Sequence, residues 1–447
     1  MTRLLKLLNI VYTGLLILLA PVILWRMLRH GRYRRGLQQK LLGRLPKLNG
    51  SQPVVWFHAV SVGEVLQLRK IVTDFRDATQ NCCQVLITTS TDSGYDLAVR
   101  RFSDCTVSWF PLDFSWAVNQ ALARVQPDLV VLAELEFWPG FLNACRLRRI
   151  KTAVINARMS DRSYRGYSRV KPLIQPLMRH FSVVATQTQE YAQRLIALGT
   201  RPPCTVVTGS VKFDGVNTDR SNADTLALRK LFCLSDTETV LIAGSTQSPE
   251  EEMVIDAWRK LRSEYPGVRL ILVPRHQERF NAVAELLSRR NLKYVRRTML
   301  DDSRPRVPSD AVILMDTIGE LGVCWGLSDV AYVGGSFGTR GGQNMLEPAA
   351  YGAAVLFGPN TWNFRDIVRM LISSDAAIEV TSTDDFETQV RQLLFDVRRR
   401  TELGAAARQL VLSQKGAIPH TVRLILKTLE APDYERHSDH DSRGVAA

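Results

Sequence analysis

The sequence predicts an α/β protein with two doubly wound halves behind an N-terminal apolar segment, and three observations carry that reading. Short apolar runs of strand length alternate with segments of helical periodicity. The alternation halts in a polar stretch, Asp214 to Asp224, and then restarts, so two units of similar size are expected. Between Ser328 and Pro359 an apolar run, a loop with five glycines (Gly334, Gly335, Gly338, Gly341, Gly342), a helix start and a second apolar run follow in order. Strand, glycine loop, helix and strand form the unit that binds nucleotides or phosphates at the carboxyl edge of a parallel sheet. No Walker lysine follows these glycines, and their spacing is not the dinucleotide fingerprint.

At the N-terminus, Leu7 to Trp25 runs 19 residues without a charge, enough for a helix to cross a bilayer. Arg26, Arg29, Arg32, Arg34 and Arg35 follow it, against Arg3 and Lys6 before it. The positive-inside rule then puts the rest of the chain on the cytoplasmic side, with a basic collar to Lys47 near acidic headgroups. A signal peptide is excluded, because its positive charge would lead and a small-residue cleavage site would follow. The whole chain carries 58 Lys and Arg against 44 Asp and Glu, a net +14, which suits an anionic surface, substrate or nucleic acid. Seven scattered cysteines without a C-x-x-C read as reduced, and seven histidines show no metal-ligand spacing.

Element by element, the first half opens with Val54–Val60 as a strand, then Ser61-Val62-Gly63-Glu64 and a helix. A carboxylate at the first strand-to-helix turn faces the favoured ligand position, although Glu64 also suits a helix N-terminus electrostatically. His58, inside the apolar run, reads as a core histidine. Strands follow at Cys83–Thr88, Cys105–Phe110 and Asp128–Ala133, the last ending in Glu134-Leu135-Glu136-Phe137-Trp138-Pro139. Two alternating acids at a strand mouth suit metal binding, acid–base work or a sugar hydroxyl. Thr152–Ile155 leads to a segment dense in Arg, Lys and Tyr, Arg162 to Arg179, which with Arg158 suits an acidic or phosphorylated acceptor or equally a solvated basic helix face. After short strands at Val183–Ala185 and Thr205–Val207, Lys212 follows a glycine turn within reach of a phosphate or carboxylate.

In the second half, Thr239–Ala243 is a strand, and Ser248, Pro249 and Glu251 predict an N-cap, a first helical residue and a capping box. Leu270–Val273 ends in Pro274-Arg275-His276, and Val312–Met315 ends in Asp316-Thr317-Ile318-Gly319-Glu320. Asn344 and Glu347, three residues apart, share a helical face beside the glycine loop. The predicted organisation is an anchor and collar at 1–50, a first domain at 51–214, a linker at 215–224, a second domain with terminal helices at 225–430, and a polar tail at 431–447. Polar strand ends in both halves imply a cleft between them.

Read together, HAVSVGE, TSTDSGYDLA, ELEFWP, NARMSDRSYRGY, TGSVKFD, VPRHQERF, DTIGEL and the glycine segment through GPNTWNF resemble the Kdo transferases. These are membrane-associated glycosyltransferases that attach 3-deoxy-D-manno-octulosonic acid to lipid A precursors in lipopolysaccharide synthesis. The resemblance runs in order from about Trp56 to Phe364, and so many motifs in one order are more specific than any one. It implies a GT-B fold of two Rossmann-like domains, with CMP-Kdo as donor on the second and lipid IVA as acceptor on the first. It implies Glu64 as general base, with Glu134 and Lys212 stabilising the transition state. It implies Pro274, Arg275, Ile318, Gly319, Glu320, Asn344, Met345, Leu346 and Glu347 as the CMP-binding set. No metal is expected, CMP-Kdo is a co-substrate rather than a cofactor, and the location implied is the cytoplasmic face of the inner membrane.

Two other classes fit parts of the sequence. One is a different GT-B enzyme, a UDP-sugar transferase or an epimerase, the apolar N-terminus counting against the epimerase. The other is a membrane-tethered nucleic-acid-binding module, for which the chain has no recognised motif.

Overall fold

The computed structural model describes residues 2–30, 34–48, 50–301 and 307–431; the predicted tail from 432 onward lies outside the described residues. The fourteen strands described are β1 (Val54–His58), β2 (Gln84–Thr89), β3 (Thr106–Trp109), β4 (Leu129–Ala133), β5 (Lys151–Ala157), β6 (Val183–Thr186), β7 (Thr205–Val207), β8 (Thr239–Thr246), β9 (Val268–Pro274), β10 (Tyr294–Arg296), β11 (Val312–Leu314), β12 (Val330–Val333), β13 (Ala354–Phe357) and β14 (Ile378–Glu379). They form two parallel seven-stranded sheets, ordered β3-β2-β1-β4-β5-β6-β7 and β10-β11-β9-β8-β12-β13-β14. Each sheet is wound outward from its first strand, and the strand order reverses between β1 and β4 and between β8 and β12. At such a reversal the connections leave toward opposite faces and open a crevice at the carboxyl ends of the strands.

The apolar runs make strands because both of their faces are covered. Val54 to His58 and Leu129 to Ala133 are buried at every residue, as continuous hydrophobic runs in a parallel sheet must be. Side chains of alternating parity feed two layers in the first unit. Trp56, Leu86, Val130 and Leu132 enter one core cluster, while Val55, Phe57, Ile87 and Val131 enter the other. The helix Val62–Ala78 covers the second layer with Val65, Leu68, Ile71, Val72 and Phe75.

The chain divides into two compact units, and the division is not at the polar stretch alone. Val216 to Gln414 forms one, and everything through Gly215 joins the helix Ala417–Glu430 to form the other. That terminal helix was expected with the second half. Instead Ala417, Ile418, Val422 and Ile425 complete the core layer containing Phe57 and Val131. Its start is fixed by Asp214, whose carboxylate accepts hydrogen bonds from Gly416 N (2.6 Å) and Ile418 N (2.5 Å). The polar stretch itself docks on the second unit: Arg220 donates to Tyr351 O at 2.7 Å and Ser328 O at 2.5 Å.

The N-terminal span is a helix, Thr2–His30, but among the described residues no helix is long and apolar enough to cross a membrane. The transmembrane span expected from the sequence is therefore not found among the described helices. Polar residues interrupt the apolar run, and they meet protein. The Asn9 amide donates to Ser115 Oγ at 2.7 Å and accepts from Ser115 N at 3.2 Å, while Tyr12 sits edge-on to Phe114. Ile10, Ile17, Leu18, Val22, Leu24 and Leu28 remain exposed. Part of the basic collar is likewise committed to protein: Arg35 clasps Asp96 through two hydrogen bonds of 2.9 and 2.7 Å, and Lys40 Nζ lies 3.7 Å above the Trp109 ring.

Candidate active site

In the first unit Glu64 and Glu134 lie at the reversal point between β1 and β4, after the ends of those two strands. Ser61 is the N-cap of the helix Val62–Ala78, accepting from Glu64 N at 3.3 Å. Glu64 reaches back over the helix start: Oε2 accepts from Val60 N at 2.9 Å and Oε1 from Ser61 Oγ at 2.7 Å. The electrostatic reading of Glu64 is therefore realised, and its carboxylate is fixed as well, with further acceptor positions remaining on both oxygens.

Across the reversal, β4 ends at Ala133, and Glu134 continues the ladder by donating its N–H to Ile155 O at 2.9 Å. Glu134 does so at φ 54, a left-handed conformation that a non-glycine residue holds at a cost of about 1–3 kcal/mol. Its carboxylate accepts from Arg158 Nε at 2.9 Å. Glu136, two residues on, is half-buried, and that burial, reinforced by the negative charges of Glu64 and Glu134, pushes its carboxyl up to about 7. Burial also raises Tyr167, with the Glu136 charge adding to it. Three carboxyl groups thus sense one another here.

Lys212 is positioned through Asn156, a residue the sequence placed in a motif without a role. Asn156 lies at φ 53 at the end of β5. Its Nδ2 donates to Gln67 Oε1 at 2.7 Å on the helix bearing Glu64, and its Oδ1 accepts from Val211 N at 3.3 Å. One amide therefore ties the Glu64 helix to the turn that carries Lys212. His58 is a core residue as expected: fully buried, stacked on Phe110 at 3.8 Å, hydrogen-bonded through Nδ1 to Thr88, and driven down to about 3 by burial.

In the second unit three strand ends converge. Arg275 follows β9, its N–H bound to Thr246 O at 3.0 Å and its side chain exposed. Asn344 Nδ2 donates to Glu347 Oε1 at 3.0 Å, and Asn344 Oδ1 accepts from Leu346 N at 3.2 Å to start the helix Leu346–Ala350. Burial raises Glu347, while the Asn344 hydrogen bond and the Arg275 charge pull it back. Glu320 accepts from Arg297 Nη2 at 2.9 Å and from Thr317 Oγ1. A methyl group on Gly322 would lie 3.9 Å from Glu347 Oε2, which brings the loop carrying Ile318, Gly319 and Glu320 beside that carboxylate. Ile318 is 76 % exposed and Gly319 turns at φ 94. Pro274, Met345 and Leu346 are buried, so Asn344 and Glu347 are the side chains their segment offers outward. Arg297 was missed, because an arginine in a basic chain gives no signal until its partner is known.

The expected capping box at Ser248 and Glu251 does not form. The helix begins at Glu250 without a side-chain cap, and Glu251 instead pairs with Arg279 at 3.1 Å. Among the described residues no group of three or more His, Cys, Asp or Glu is placed to hold a metal ion.

Residues 32–215 match the family model described as 3-Deoxy-D-manno-octulosonic-acid transferase (kdotransferase). A 3-deoxy-D-manno-octulosonic acid transferase of Haemophilus influenzae is 33% identical over 428 residues, covering 94% of this chain and 98% of its own. The Bordetella pertussis protein of the same name is 32% identical, covering 92% and 97%. In fold, a UDP-GlcNAc 2-epimerase from Neisseria meningitidis superposes with a TM-score of 0.55 over 84% of this chain and all of its own, at 13% identity. That last likeness shows the fold alone, two parallel-sheet α/β domains, and nothing of the chemistry. The chain belongs to the 3-deoxy-D-manno-octulosonic acid transferase family, a family of glycosyltransferases.

Proposed function

We propose that the chain transfers 3-deoxy-D-manno-octulosonic acid from CMP-Kdo to lipid IVA, a phosphorylated glucosamine disaccharide, with Glu64 as general base. The observation that carries this reading is the fixed Glu64 carboxylate at a strand-order reversal, beside two further acids. The acceptor hydroxyl gives its proton to Glu64 as its oxygen bonds to the sugar's anomeric carbon. The bond from that carbon to the CMP phosphate oxygen breaks on the opposite face, so configuration inverts. Lys212 and Glu134 stabilise the transition state, and Arg275 meets the phosphate. Asn344, Glu347 and the loop through Glu320 hold the nucleoside.

The helix Thr2–His30, with its exposed apolar side chains and trailing arginines, attaches the enzyme to the inner membrane on the cytoplasmic side, where an amphiphilic acceptor is presented. Incubating the full chain with CMP-Kdo and lipid IVA and weighing the lipid product tests the reaction. Glu64→Gln tests the base: turnover should fall by about 10²–10⁴-fold, while CMP still raises the melting temperature. A glutamine variant that turns over at the parent rate removes Glu64 from the chemistry, and an unchanged lipid mass with the parent chain removes the acceptor assignment.

A further inference from the structure

The glycine loop after β12 does not offer its first amides to a ligand, because the protein fills that seat itself. Glu250 is 2% exposed and lies under the loop. Its Oε1 accepts from Ser336 N at 2.9 Å, Phe337 N at 3.1 Å and Tyr332 OH at 2.9 Å. Its Oε2 accepts from Gly335 N at 2.8 Å and Gln247 N at 2.9 Å. Five donors on one carboxylate make a complete anion site of the kind that elsewhere receives phosphate. With a buried negative charge already in it, this end of the loop repels a second anion.

What the same place does offer is amide. A methyl group on Gly335 would meet Gln343 Nε2 at 3.2 Å and Gln247 Nε2 at 3.3 Å, so the two side chains converge over a residue that turns at φ 69. Both are half-buried, and among the described residues neither side-chain amide has a hydrogen-bond partner. Gln247 follows β8 and Gln343 closes the loop that follows β12, the two strands between which this sheet reverses. Uncommitted amides at a reversal point match hydroxyl groups, each able to donate and accept.

We propose that Gln247 and Gln343 bind the hydroxyl groups of the donor's sugar, making this end of the glycine loop a sugar seat and leaving the phosphate to side chains elsewhere. The proposal rests on the CMP-Kdo reading above. It is tested with Gln247→Ala and Gln343→Ala in the full chain, measuring CMP affinity by calorimetry and steady-state kinetics against CMP-Kdo. Each variant should raise the donor KM by about 3–10-fold, as loss of a neutral hydrogen bond does, with CMP affinity within about twofold of the parent. Retained CMP binding also reports that the donor unit is folded. An unchanged donor KM overturns the proposal, and so does a loss of CMP affinity that parallels the rise in KM. A parent chain that neither binds CMP nor consumes CMP-Kdo instead removes the donor reading beneath it.

Discussion

Glu136 is the residue whose protonation distinguishes this site. In the folded chain it holds its proton up to about pH 7, against an ordinary carboxyl value of 4.5. Between those values the folded state binds the extra proton, so this group's contribution to stability declines as pH rises through that window. Above it, a negative Glu136 strengthens Glu64 as a base, because a second charge nearby disfavours an ionised neighbour. Glu136→Gln should therefore lose less melting temperature than the parent between pH 5 and 8, and its kcat/KM profile should lack a step near 7. Identical pH dependence in parent and variant, by both measurements, would show that Glu136 titrates normally. The sequence displayed this acid at a strand mouth but not its state, which is set by burial and by a carboxylate 72 residues earlier in the chain. Glu250 was illegible for the same reason. It reads as an acid in the first turn of a helix, and four of its five donors lie 82 to 87 residues away.

Elements were more legible than their edges and attachments. Fully buried runs such as Val330–Val333 announce themselves by composition, whereas β10 and β14, only three and two residues long, carry no periodic signal. How elements attach is a matter of single side chains. Asp113, in the loop after β3, accepts from Gly140 N at 2.8 Å and Phe141 N at 2.7 Å, so it caps the helix Pro139–Leu147 that directly follows the acidic mouth. Burial raises its carboxyl to about 6. Asp113→Asn turns an NH2 donor toward one of those amides and should cost about 1–3 kcal/mol, read from urea unfolding at pH 8. Gly140→Ala should destabilise by a different route, since its methyl group would fall 2.7 Å from Asp113 Oδ1. A wild-type midpoint in both would show the tie to be dispensable.

At the scale of the whole molecule, the N-terminal helix is an appendage to a complete first unit. Its described polar contacts are to Ser115 and to Arg34 just after it, and the described core clusters of the first unit do not include it. Deleting Met1 to Arg29 should leave the cooperative melt nearly unchanged, while binding to vesicles of anionic phospholipid drops sharply. If the shortened chain survives a high-salt wash on those vesicles as well as the full chain does, attachment resides elsewhere. A helical reading of the terminal segment does not say against which unit that helix packs. The sequence-based boundary therefore put Ala417–Glu430 with the wrong unit.

A core wall supplied from the far end of the chain bears on how the protein is made. The first unit's core lacks one wall until residues near 425 have left the ribosome, although its sheet is finished by Val207. During synthesis of the intervening half, the apolar groove over Phe57 and Val131 stays open to water and to chaperones. The second unit, contiguous from Val216 to Gln414, is free to fold first. A fragment ending at Gly215 would carry that open groove permanently, and supplying Ala417–Glu430 as a separate peptide would be the way to close it.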